Sequence, residues 1–188
     1  MGTLMAALVA AALAQVGDRP AWLTAILADR YRRPLTVLVA ATLAIAAASA
    51  IAALGGALVA PRLTPNARAL FLSIALILQG GGAMIAAKPP ERLDRWRLGA
   101  AGTAALGLFI LAFGDGLQFV VAGLAARDAA PVMAAAGATI GSLAVLAPAS
   151  LIGERAWLTL PLVAIRRASG ALFLVTGVVV GLGALRLI

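Results

Sequence analysis

Along this chain, long apolar runs alternate with short polar ones, in stretches too long and too uniformly apolar for the faces of a soluble domain. At roughly 20 apolar residues per helical crossing, the runs predict six spans. These cover about Thr3–Ala28, Pro34–Ala60, Arg68–Ala87, Leu98–Ala126, Pro131–Ile152 and Ala168–Leu187. The expected fold class is therefore an all-α integral membrane protein. The longest polar segment, Lys88-Pro89-Pro90-Glu91-Arg92-Leu93-Asp94-Arg95-Trp96-Arg97, reads as a linker between two halves, residues 1–87 and 98–188. The connector from Trp157 to Ile165 is mildly apolar, and Trp157 is expected to anchor it at the membrane interface. Near the start, Ala12-Leu13-Ala14 imitates a cleavage site, but no basic residue precedes the apolar run, so the segment reads as mature chain.

Two of the spans carry a carboxylate where the bilayer centre should be. The first is interrupted by Gln15-Val16-Gly17-Asp18-Arg19-Pro20 and the fourth by Ala112-Phe113-Gly114-Asp115-Gly116-Leu117. An ionisable group at membrane depth costs about 2.5–3.5 kcal/mol on insertion scales, which makes each Asp a candidate for function. Gly17 and Pro20 beside the first, and Gly114 and Gly116 beside the second, predict broken helices, tolerated at that depth only where protein or a wet cavity satisfies the freed backbone. Gly80-Gly81-Gly82 in the third span reads either as another break or as a point of tight helix packing.

The two interruptions are related. Displacing the chain by 97 positions superposes Gly17-Asp18 on Gly114-Asp115, Arg30 on Arg127, Pro34 on Pro131 and Gly56 on Gly153. Between Gly17/Gly114 and Gly56/Gly153, 14 of 40 ungapped pairs are identical, and six of those are Ala with Ala. The Gly-Asp, Arg and Pro matches therefore carry the signal. Three spans per half place the second half upside down in the membrane, the inverted-repeat plan in which a site forms at the midplane between the halves.

Composition narrows the chemistry. With 63% hydrophobic residues and no Cys or His, the chain lacks thiolate and imidazole metal ligands, so a bound metal would need oxygen ligands. The net charge of +8 comes from short Arg/Lys clusters without interleaved aromatic residues, which argues against nucleic acid and for a positive-inside bias. Ten basic residues, including Arg30, Arg92, Arg166 and Arg167, fall on one side of the six-span layout. Four, Arg62, Arg68, Arg127 and Arg186, fall on the other, so both termini are expected outside the cytoplasm of a bacterial-type plasma membrane.

Asp18 and Asp115 are candidate metal ligands, with the carboxamides of Gln15 and Gln118 as neutral oxygens three residues from each Asp. Gln79 is a further oxygen or a packing residue. Arg19 is the candidate charge partner of Asp18, and Gly17 and Gly114 are the motif glycines. No nucleophile triad, phosphate-binding loop or redox motif is present, so no enzyme is expected. An intramembrane aspartyl protease would need Gly at the position of Ala112 and Pro-Ala-Leu where Pro148-Ala149-Ser150 stands.

These residues resemble the cation:proton antiporters of Golgi, chloroplast and bacterial membranes that carry calcium and manganese. Members hold two copies of Glu-x-Gly-Asp-(Lys/Arg)-(Ser/Thr), one in each half. Gly17-Asp18-Arg19 matches three positions of the first copy and Gly114-Asp115 two of the second. Gln15 and Ala112 stand in place of the Glu residues, Pro20 and Leu117 in place of the hydroxyl residues, and Gly116 in place of the basic one. The resemblance implies exchange of Mn2+ or Ca2+ for H+ with no permanently bound cofactor. The lipid bilayer and the cation are the expected partners, and a homodimer is a further candidate. A membrane scaffold or subunit of the same fold that no longer transports is the alternative.

Overall fold

The computed structural model describes residues 1–187 and, over them, consists of eight α-helices joined by short connections. They are α1 (Gly2–Gln15), α2 (Arg19–Tyr31), α3 (Pro34–Val59), α4 (Pro65–Met84), α5 (Gly99–Phe113), α6 (Gly116–Asp128), α7 (Pro131–Trp157) and α8 (Leu162–Ala184), with a 3-10 turn after α3. Four helices, α3, α4, α7 and α8, are each long and apolar enough to cross a membrane. Helices α5 and α6, bent by 67° at their junction, form a fifth crossing if taken as one broken span. The expected first span is likewise divided, into α1 and α2, neither long enough to cross alone.

Helix starts follow local chemistry. Proline opens α3, α4 and α7 at a position where its missing N–H costs nothing. Thr64 caps α4 by accepting the Ala67 N–H at 3.3 Å, which moves that start ahead of the expected Arg68. Helix α4 runs unbroken through Gly80-Gly81-Gly82 and ends at Met84. Of the two readings of the triplet, tight packing holds: a Cβ on Gly80 would meet the Gly170 carbonyl and Leu174 of α8.

The C-terminal boundaries depart further from expectation. Helix α7 continues past Ile152, through a kink at Gly153 with φ +77°, to Trp157. Trp157 does not sit at an interface. It is 3% exposed and packs in a core with Leu23, Leu27, Ile45, Leu108 and Leu146. Helix α8 begins at Leu162 rather than Ala168, so Arg166 and Arg167 lie inside a helix and not in the loop before it.

Each pair of helices flanking a break packs against one long helix: α1 and α2 lie on α7, and α5 and α6 lie on α3. Helices α4 and α8 pair with each other. Small residues allow the close approach, since a Cβ on Gly137 or Gly141 would run into the Leu4 and Leu8 carbonyls of α1. Two apolar clusters result. One is built mainly from α2, α3, α5 and α7, the other from α1, α4, α6 and α7. Each broken helix passes from one cluster to the other at its break, and the polar residues of the breaks lie between them. Around the outside, Leu35, Val39, Leu43 and Leu58 of α3 and Val175, Val178 and Val179 of α8 are exposed, as lipid-facing side chains are.

Candidate functional site

The break between α1 and α2 is made by Gly17, whose φ of +74° is readily available only to glycine among common residues. A Cβ there would also press on the Leu162 carbonyl of α8, so the bend and the close approach of α8 both need this residue. Asp18 follows as the N-cap of α2, its Oδ1 accepting the Arg19 N–H at 2.8 Å. The break between α5 and α6 is laxer. Gly114 has φ −90° and ψ 6°, and nothing comes closer than 3.9 Å to a Cβ built on it. Asp115 is the N-cap residue of α6 with an extended backbone, and its side chain makes no capping bond.

Asp18 and Asp115 line one cavity of about 340 Å³, together with Arg19, Gln79, Gly82, Lys88, Gly114, Gly116 and Arg166. Ile85 to Ala87, which follow α4, and Lys88, the first linker residue, form part of its wall, so it lies toward the linker end of the molecule. Gln79 Oε1 rests directly against Gly116, where a Cβ would displace it. Each break also sets the carbonyl-rich C-terminus of one half-helix beside the N-terminus of the next, the arrangement in which broken spans present carbonyls to cations.

The counter-charge of Asp18 is Arg166. Its Nη1 lies 2.7 Å from Asp18 Oδ1, with both side chains largely buried. The same guanidinium donates to the Gly82 carbonyl at 3.0 Å and to the Gly17 and Ile85 carbonyls at 3.4 Å each. Arg19, the partner expected from adjacency, is exposed and reaches the cavity wall without an ion pair to Asp18. Adjacent residues on a helix do not face each other, whereas Arg166 arrives from another helix. Among the described residues, no Lys or Arg lies within ion-pair distance of Asp115.

Gln15 and Gln118 are both buried but are not among the residues lining the cavity. Gln15 Nε2 donates to Ser142 Oγ of α7 at 3.3 Å. Among the described residues, the Oε1 atoms of Gln15 and Gln118 are buried without a hydrogen-bond partner. Leaving such an acceptor unpaired costs about 1–3 kcal/mol, which makes both oxygens open to a further interaction. Among the described residues, no group of three or more acidic side chains gathers to hold a metal. Two carboxylates and neutral oxygens are what the site offers.

With this geometry in place, the comparisons with known proteins define its class. The family model described as "Divalent cation/proton antiporter GDT1" matches residues 3–91 and 100–186, and the chain belongs to that family. It is a membrane transporter of divalent cations, not an enzyme. A protein of Vibrio cholerae with the curated name "Putative manganese exporter" is 32% identical over 183 residues, covering 93% of this chain and 88% of the relative. No solved structure matches the chain.

Proposed function

We propose that this protein exchanges a divalent cation, Mn2+ before Ca2+, for protons at the cavity holding Asp18 and Asp115. The observation that carries the reading is that the carboxylates of the two Gly-Asp pairs, 97 positions apart, line one cavity at two helix breaks. Divalent cations leave water only for several oxygens carrying enough negative charge, and Mn2+ accepts carboxylate and carbonyl ligands. Asp18 and Asp115 would supply the charge and Gln79 a neutral oxygen. Gln15 and Gln118, each with an unpartnered Oε1, would add theirs on closure of the site. Proton coupling would follow from each carboxylate binding either cation or proton. Manganese takes precedence because of the name of the Vibrio cholerae relative.

The same reading takes the chain as six spans in two inverted repeats, residues 1–87 and 98–188, with residues 88–97 cytoplasmic and both termini outside. Packing between the halves supports it. Gly80 of α4 abuts Gly170 of α8, while Gly177 of α8 abuts Ile77 and accepts a hydrogen bond from Ser73 of α4 at 2.7 Å. Displacement by 97 exchanges Gly80 with Gly177 and Ser73 with Gly170, so the two contacts are images of each other.

A second reading, a non-transporting scaffold, is favoured by the ion pair that already occupies one of the two carboxylates. Manganese and calcium tolerance of cells, and cation-dependent pH change in proteoliposomes, separate the two. Asp18→Asn and Asp115→Asn should each abolish tolerance and flux. Asn caps a helix about as well as Asp, so Asp18→Asn removes the charge and leaves the start of α2 intact. Wild-type behaviour from both variants for every cation tried would establish the scaffold reading.

A further inference from the structure

We infer that Arg166 is a tethered counter-cation of the transport site: it occupies Asp18 when the site is empty, and cargo must displace it. This inference rests on the transport reading above. Its basis is the position of one guanidinium. Arg166 reaches Asp18 at 2.7 Å, with the two side chains 13% and 8% exposed. Both groups also line the cavity that holds Asp115. Asp18 Oδ1 already accepts both the Arg19 N–H and the Arg166 guanidinium, so the charge of this carboxylate is neutralised, and a divalent cation approaching it meets the positive charge of Arg166.

Arg166 is held in a way that permits both states. It lies in the second turn of α8, and its other donors meet the Gly82, Ile85 and Gly17 carbonyls, which are neutral acceptors shared among three segments of chain. A guanidinium leaving Asp18 therefore keeps acceptors within reach on α4 and at the end of that helix. Other cations near the cavity do not have this role. Arg19 and Lys88 line its wall, but neither is paired with Asp18 or Asp115.

The repeat makes the device one-sided. Displacement by 97 takes Arg166 to Ala69, so the half containing α4 has no equivalent cation, and Asp115 has no ion-pair partner among the described residues. Asp115 is then the carboxylate open to arriving cargo, and Asp18 joins as Arg166 withdraws. A site whose binding-competent form must first be vacated shows an apparent affinity lowered by the fraction of time it is vacant. Removing the competitor raises that fraction.

Two measurements on the full-length protein in detergent test the inference. Binding of Mn2+ is followed by loss of the free-ion electron paramagnetic resonance signal, and the reactivity of Arg166 toward phenylglyoxal by peptide mass spectrometry. Arg166→Gln should tighten Mn2+ binding about tenfold or more, and Arg166→Lys, which keeps the charge, should stay close to wild type. In the wild type, Mn2+ should increase labelling of Arg166, the reverse of ordinary protection by a ligand. In Asp18→Asn, labelling should be high without any metal. This last measurement needs no cargo, and the size-exclusion profile and unfolding midpoint of each variant report whether its fold is kept.

If Mn2+ binding is lost in Asp115→Asn but Arg166 labelling does not rise with metal, or Arg166→Gln binds no tighter, the competitor role is overturned and the transport site stands. If neither Asp variant alters Mn2+ binding or flux, the transport reading itself falls.

Discussion

Gly17 and Gly114 occupy matching places in the two Gly-Asp pairs, yet the structure uses them differently. Gly17 combines a positive φ with the close approach of the Leu162 carbonyl, whereas Gly114 has an ordinary backbone and open space around it. Gly17→Ala should therefore cost about 1–3 kcal/mol of strain and lower the thermal unfolding midpoint in detergent. Gly114→Ala should leave the midpoint within the error of the wild type. Both Asp positions were legible from sequence, because a charge in an apolar run stands out without any structure. Arg166 was not. With α8 expected from Ala168, it counted as one more loop cation, although the displacement of 97 sets Leu162 on Pro65, the start of α4, and so places Arg166 within a helix.

At the scale of elements, the broken helices were readable and their partners were not. Gly17 with Pro20, and Gly114 with Gly116, each beside an Asp, announce a break, and the chain breaks at both places. That α1 lies along α7, with Gly137 and Gly141 against its carbonyls, depends on which faces meet after folding. Gly141→Leu should wedge α1 from α7 and lower the yield of monodisperse protein, since overpacking a close helix contact commonly costs 1–3 kcal/mol. Gly81→Leu is the matched control. Nothing lies within 4 Å of a Cβ at Gly81, so the same side chain there should be tolerated in size-exclusion profiles and unfolding scans. The boundaries of α7 and α8 escaped the hydropathy pattern for a related reason. Trp157 and Arg166 look like interfacial residues by type, but inside the bundle the Trp157 ring packs in the apolar core and Arg166 finds an ion pair.

For the molecule as a whole, the proposed orientation follows from the basic residues gathered at one end. There Arg92 pairs with Glu154 at 2.6 Å, and Arg30 pairs with Asp94 and donates to the Leu93 carbonyl at 3.0 Å. The Asp29 carboxylate accepts the Glu154 N–H at the same end, while Thr3 donates to Asp128 at the other. The chain has no cysteine, so single substitutions report on sidedness without background. Asn66→Cys should react with a membrane-impermeant maleimide on intact cells, and Lys88→Cys only after the membrane is opened. The reverse pattern would invert the orientation proposed above.

By itself, the sequence determined the solvent of this protein, the 97-residue displacement that relates its two Gly-Asp pairs, and the pair of carboxylates at the helix breaks. Those properties reside in local composition and in a repeat that can be counted along one dimension. Only the tertiary structure decided that the two carboxylates share a cavity, that Gln79 faces it while Gln15 and Gln118 are buried away from its lining, and that Arg166 neutralises Asp18. The physical reason is that an ion pair between residues 148 positions apart leaves no local trace. It exists only once α8 has packed against α4 and brought its N-terminal turns to the break between α1 and α2.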